Sequence, residues 1–247
     1  MIDVVATPEE KFDLIKSVGF EGVEINAPGN FNRDEIIKAS EKTGITVHGV
    51  VDSVHWKETL SDPDAAVRAK GIDGLRAALE NAKAMGASTV LLVPGVVKDG
   101  VTYDECWSRS QEEIRKVISD ADQAKVKIAI EVVWNNFIKT PQQFVDYVDA
   151  FKTPTVGAYM DIGNVVKWSP PAEWITALGP RILKLHVKGY SHQKQWGAIG
   201  DGDANWPDVR KALADVHYQG WATAEVPGGG EKQLREISQR MDRVLGL

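Results

Sequence analysis

At 247 residues the chain is long enough for one large α/β domain, and its 43% hydrophobic and 26% charged content are ordinary for a globular protein. A formal charge of −6, with no Lys/Arg block, argues against a polyanion, so no nucleic-acid partner is expected. The single cysteine, Cys106, excludes an intrachain disulfide. No apolar run approaches the roughly 20 residues of a membrane span, and no signal-peptide pattern stands at the amino end. No membrane partner is expected, and a cytoplasmic location is the default.

The predicted elements alternate along the chain. Thr7 as N-cap and Pro8 in the first helical position start a helix over 8–16. A strand over 22–25 follows, then a helix over 33–42 stopped by Gly44, then a strand over 45–51. The run Asp62-Pro63-Asp64 opens a long helix that ends at Met85 before Gly86. Residues 88–93 form a strand closed by Pro94-Gly95, and 103–124 read as one helix. Strands at 127–133, 156–161, 182–187 and 221–226 are then interleaved with helices at 141–150, 171–178, 207–216 and 231–245.

Strands alternating with helices of this size imply repeated βαβ units, hence a parallel sheet. Seven strands are clear. An eighth must come first, and residues 2–5 are its only candidate, so the expected fold is a (β/α)8 TIM barrel with a short or truncated first strand. No linker or low-complexity stretch divides the chain, and 1–247 reads as a single domain.

Four successive strands end on a metal-seeking side chain: Glu131, Asp161, His186 and Glu225. The catalytic face of a parallel barrel is the C-terminal end of its strands. Two Glu, one Asp and one His converging there suit one divalent cation, Mn²⁺, Mg²⁺, Co²⁺ or Zn²⁺. Taken singly, a carboxylate at a strand end often only caps the next helix, and a lone histidine is more often structural. It is the recurrence on four adjacent strands that points to a metal.

Other residues fall near the same mouth. His55 and Trp56 follow the strand at 45–51, and Trp134 and Asn135 follow Glu131. Asn164 lies three residues past Asp161, and Lys188 two past His186 on the same side of an extended run. An indole face suits the C–H face of a sugar, and the amides suit its hydroxyls. Lys188 suits a phosphate, a carboxylate or an enolate oxygen, or else a salt bridge with Asp161 or Glu225. Trp168, Trp174, Trp206 and Trp221 read as packing residues. His48 lies within a strand, and His192 and His217 read as surface residues.

Over nearly its whole length the sequence resembles the sugar phosphate isomerase/epimerase family, the xylose isomerase-like TIM barrels. The resemblance is carried by Gly19-Phe20-Glu21-Gly22-Val23-Glu24, Val93-Pro94-Gly95, Glu131-Val132-Val133-Trp134-Asn135, Asp161-Ile162-Gly163-Asn164, His186-Val187-Lys188 and the segment from Gly200 to Trp206. It implies one divalent metal, manganese among the candidates, held by Glu131, Asp161, His186 and Glu225. It also implies a small sugar or sugar phosphate as substrate, and a homo-oligomer. Glu131 and Glu225 are then the catalytic acid/base pair as well as ligands. The implied reaction is isomerisation or epimerisation by proton transfer through a metal-stabilised enediolate. A dehydratase or lyase acting on a keto-sugar or keto-inositol with the same site is the alternative. Two positions depart from the ketose-epimerase pattern: Asn164 stands where those enzymes carry a histidine, and Lys188 and Lys194 where they carry an arginine.

Overall fold

The computed structural model describes residues 2–247. Its sheet has seven strands: β1 (Gly22–Ala27), β2 (Thr46–Asp52), β3 (Thr89–Leu92), β4 (Lys127–Glu131), β5 (Val156–Asp161), β6 (Ile182–Val187) and β9 (Ala222–Ala224). They pair in the order β1-β2-β3-β4-β5-β6-β9, and every pair is parallel. The chain is thus a TIM barrel left open along one seam, between β1 and β9. The expected first strand is the correction here: residue Ile2 makes one isolated parallel bridge to Gly229, and no strand forms over 2–5.

Most of the longer helices have a chemically marked start. Thr7 and Thr102 close capping boxes with Glu10 and Glu105 at the heads of α1 (Pro8–Ser17) and α4 (Tyr103–Arg115). Asn32, Asp64, Thr140 and Asn205 cap α2 (Arg33–Thr43), α3 (Ala65–Met85), α6 (Pro141–Asp149) and α9 (Trp206–Asp215). Each such cap contributes about 1 kcal/mol. α2 and α3 end at Gly44 and Gly86, whose φ of 78° and 75° is the left-handed conformation that suits glycine.

The expected helix over 103–124 is two helices, α4 and α5 (Ile118–Ala124). Lys116 and Val117 donate to carbonyls three residues back, Glu113 and Ile114, which tightens the turn and breaks the α-helical run. Short α7 (Ile162–Val165) follows β5, and α8 (Pro171–Leu178) and α10 (Glu231–Leu245) complete the outer layer. An antiparallel hairpin, β7 (Gly189–Ser191) with β8 (Gln195–Gly197), rises after β6 where the sequence reads as loop.

Most apolar burial lies between sheet and helices, among residues such as Leu75, Leu79, Ile128, Ile130, Phe144 and Trp174. Inside the barrel the apolar contribution is small: Leu91, Ala129 and Tyr159, with Val51 and Leu183 against them. The rest of the interior is polar, and it rises to the ends of β4, β5, β6 and β9.

Candidate metal centre and active site

The four expected ligands converge. Glu131 and Asp161 are the last residues of β4 and β5, His186 is the penultimate residue of β6, and Glu225 follows β9. One ligand atom from each lies within 4.8 Å of all the others. His186 Nδ1 stands 2.8 Å from Glu131 Oε1, 3.0 Å from Glu225 Oε2 and 3.9 Å from Asp161 Oδ2. It is therefore Nδ1 that faces the three carboxylates.

Asp161 divides its carboxylate between two tasks. Oδ1 accepts from the backbone N–H of Asn164 at 2.8 Å and so caps α7. Oδ2 is fully buried and meets no hydrogen-bond donor in good geometry, although Lys188 Nζ stands 2.8 Å away as an ion pair. A buried carboxylate oxygen with an unused lone pair beside two more carboxylates and an imidazole nitrogen is a donor set that fits a hard or borderline divalent cation.

Electrostatics agree with geometry. Burial pushes the Asp161 carboxyl up to about 7, with Lys188 opposing the rise and Glu131 and Glu225 adding to it. Burial also works against a charge on His186, yet Glu131 and the hydrogen bonds that the ring donates to the surrounding carboxylates hold its pKa well above the ordinary range. Glu225 is held down to about 2. Its partial burial is outweighed by hydrogen bonds and charge from His186 and Lys188.

A cavity of about 1310 Å³ opens above the quartet and runs on through the seam between β1 and β9. Glu131, His186, Glu225, His55, Trp56, Trp134, Asn164 and Lys188 all line it. His55 is buried, and its Nδ1 accepts from the N–H of Val93 at 3.4 Å, which leaves Nε2 as the protonated nitrogen. Burial holds its pKa down at about 4, so it is neutral. Trp56 is 57% exposed at the mouth. Trp134 donates its indole N–H to Asn164 O at 2.9 Å. Asn164 Nδ2 in turn donates to Val132 O at 3.0 Å, tying the loops after β4 and β5 together.

Two placements differ from expectation. Asn135 is buried and absent from the cavity wall: Nδ2 donates to Gly95 O at 2.6 Å and Oδ1 accepts from the N–H of Phe137, so both polar ends serve the loops. Trp221, read as a packing residue, lines the cavity and stacks on His48 at 4.5 Å. The salt bridge foreseen for Lys188 is double, reaching Asp161 and also Glu225 Oε2 at 2.5 Å.

Trp196 and Glu24 are additions. Trp196, on β8, stacks against Trp134 with ring centres 4.7 Å apart, and Lys188 Nζ lies 5.3 Å from its centre. Its signal in the sequence was a tryptophan within an otherwise polar stretch. Glu24, on β1, is buried beneath the quartet with Oε2 3.3 Å from His186 Nε2.

Comparison with known proteins places this geometry. Residues 12–244 match the family model described as xylose isomerase-like TIM barrel. The L-ribulose-5-phosphate 3-epimerase UlaE of Escherichia coli O1:K1 / APEC is 25% identical over 191 residues, 72% of this chain and 67% of that protein. Among solved structures, D-psicose 3-epimerase superposes with a TM-score of 0.81 at 20% identity, covering 98% of this chain and 95% of that one. The IOLI protein with a binding zinc atom gives 0.84 at 16% identity, covering 98% and 94%.

Proposed function

This chain belongs to the xylose isomerase-like TIM barrel family, and from that premise we propose that it is a divalent-metal-dependent epimerase or isomerase of a ketose, free or phosphorylated. Residues 1–247 act as one domain in this reading. The observation that carries it is the convergence of three carboxylate oxygens and His186 Nδ1 within 4.8 Å at the C-terminal ends of four neighbouring strands.

Glu131, Asp161, His186 and Glu225 would hold the ion. When bound, the metal acts as a Lewis acid that stabilises negative charge on a substrate carbonyl oxygen. The chain supplies the rest. A C–H beside a carbonyl is a weak acid, so a carboxylate must stand on the correct face of that carbon. Glu131 and Glu225 come from β4 and β9, which have two strands between them in the sheet, and both line the cavity. One carboxylate takes the proton and becomes a carboxylic acid, and the carbon's electron pair delocalises onto the carbonyl oxygen. Return of a proton from the other Glu to the opposite face inverts the centre. Return by the same Glu to the neighbouring carbon, with the hydroxyl proton passing from one oxygen of the enediolate to the other, interconverts ketose and aldose. Asp161 orients the site by capping α7 while offering its second oxygen. Lys188, drawn to a substrate oxygen once a cation shares its carboxylates, would stabilise developing charge. Trp134, Trp196 and Trp56 would take the apolar faces of the sugar and exclude water, with His55 and Asn164 on the wall beside them.

The test is metal analysis followed by proton exchange in D₂O. Near-stoichiometric metal, and solvent deuterium entering the carbon beside the carbonyl of a ketose or ketose phosphate, are the expected results. Both should be lost in Glu131→Gln/Glu225→Gln protein. A wild-type chain that takes up none of Mn²⁺, Mg²⁺, Co²⁺ or Zn²⁺ would sink the reading.

A further inference from the structure

Beneath the quartet the barrel interior holds a second polar cluster. It is built from Glu24 of β1, His48 of β2, Tyr159 of β5, Lys184 of β6 and Thr223 of β9. Two irregularities of the sheet shape it. Pairing of β1 with β2 slips between Val23 and Glu24, so that Val23 faces Val47 but Glu24 faces Gly49, with His48 as the extra residue. Pairing of β5 with β6 slips between Ala158 and Tyr159, with Leu183 as the extra residue. Such bulges re-aim side chains, and these two stand at Glu24, His48, Tyr159 and Lys184.

Gly49 makes the remaining room: a Cβ there would collide with Glu24 Oε1. The Glu24 carboxylate fills that space with both oxygens engaged. Oε1 accepts from the Tyr159 hydroxyl at 2.9 Å, and that hydroxyl stands 3.0 Å from Thr223 Oγ1. Oε2 lies 3.3 Å from His186 Nε2. Lys184 Nζ lies 2.7 Å from His48 Nδ1, the nitrogen that stands 3.8 Å from Glu24 Oε1. A carboxylate this deep needs partners to stay charged, and every side of Glu24 supplies one.

We infer that Glu24 is a positioning residue for the metal centre: it accepts the Nε2–H of His186, and so presents the Nδ1 lone pair to the space between Glu131, Asp161 and Glu225. The inference rests on the metal reading above. An imidazole has two nitrogens, and only one tautomer leaves Nδ1 free to bind a cation. A carboxylate at Nε2 selects that tautomer, fixes the ring plane and raises the basicity of the ligand nitrogen. Tyr159 supports the same ring a second way, with ring centres 4.3 Å apart. Glu24 acts through His186, whose Nε2 lies 3.3 Å from Oε2.

The test reads the ring directly. Full-length ¹⁵N-labelled protein is loaded with Zn²⁺, which is diamagnetic, and long-range ¹H–¹⁵N correlation separates its five imidazoles. A His186→Gln spectrum gives the assignment. The expected wild-type result is a proton on His186 Nε2, shifted downfield by a strong hydrogen bond, with Nδ1 carrying the metal. In Glu24→Gln the side chain keeps its shape but loses its charge. The Nε2–H resonance should move upfield and the Kd for Zn²⁺, measured by competition with a chromogenic chelator, should weaken by about 10-fold or more. Tyr159→Phe should weaken it less.

Zinc bound equally by wild type and Glu24→Gln, or a wild-type His186 protonated on Nδ1, would overturn the assignment and leave the metal site standing. No zinc uptake by wild type would overturn the metal site and this assignment with it. The wild-type spectrum decides the tautomer even where Glu24→Gln does not fold.

Discussion

Lys188 Nζ stands 2.8 Å from the buried Oδ2 of Asp161, on the spot where a second cation would compete with it. The lysine also reaches Glu225, so its one positive charge is shared between two of the three carboxylates of the quartet. Its own ammonium is held above its ordinary range: burial pulls the pKa down, but Asp161 and Glu225 outweigh it. In metal-free protein, Lys188→Met leaves a fully buried charge without its partner, a loss of about 3 kcal/mol. Metal-free Lys188→Met should therefore melt earlier than metal-free wild type, and should gain more in melting temperature on adding Mn²⁺. Equal gains in both proteins would show that lysine and metal do not share these oxygens.

Asp161→Asn separates the two tasks of this side chain. Asn keeps an oxygen that accepts the N–H of Asn164 and caps α7, but it removes the charge from the second oxygen. We expect near-native helical content by circular dichroism, with metal content falling from near-stoichiometric to trace by elemental analysis. A fully metallated Asp161→Asn protein would mean that Asp161 serves only as a cap.

Lys184 carries a pH signature that can be worked out in sign. Burial lowers its pKa to about 8 from 10.5. Between those values the unfolded chain holds the proton and the folded chain has released it. Stability from this group therefore rises with pH from about 8 to 10.5, and below 8 the whole penalty is present, about 3 kcal/mol. Lys184→Met abolishes the effect. Urea unfolding from pH 7 to 10.5 should show the stability of Lys184→Met relative to wild type falling steadily as pH rises. A pH-independent difference would place the charge in a better-solvated site than the structure does.

Trp196 is nearly half exposed yet stacked on Trp134. If the pair is a platform for a sugar face, Trp196→Ala should raise KM about 5-fold, corresponding to about 1 kcal/mol, with kcat changed little. Loss of sugar-induced quenching of tryptophan fluorescence is the matching equilibrium measurement. An unchanged KM would make the hairpin a bystander.

The four candidate ligands were readable because each terminates a local pattern: a short apolar run, a carboxylate or imidazole, then a helix start. Their register needs only that side chains alternate along a strand. Lys188 was readable for the same reason, two residues past His186. Glu24 was visible as part of a motif, but its task was not. That task depends on a slip in pairing opposite Gly49 and on a histidine 162 positions away, neither of which leaves a periodic trace. The hairpin around Trp196 was missed because strands of three residues carry too few side chains for an alternation to show. Asn135 was misplaced because a turn after β4 carries its amide onto Gly95, and loop geometry of that kind is set by tertiary contacts. The first strand was expected to be weak, and the open seam between β1 and β9 goes further in the same direction.

The arrangement of the sheet has a practical corollary. All four candidate ligands come from β4, β5, β6 and the end of β9, one unbroken arc of the barrel wall. His55 and Trp56 stand outside that arc, in the loop after β2. A mutational library confined to residues 53–60 would thus vary the cavity wall while the four candidate ligands keep their places.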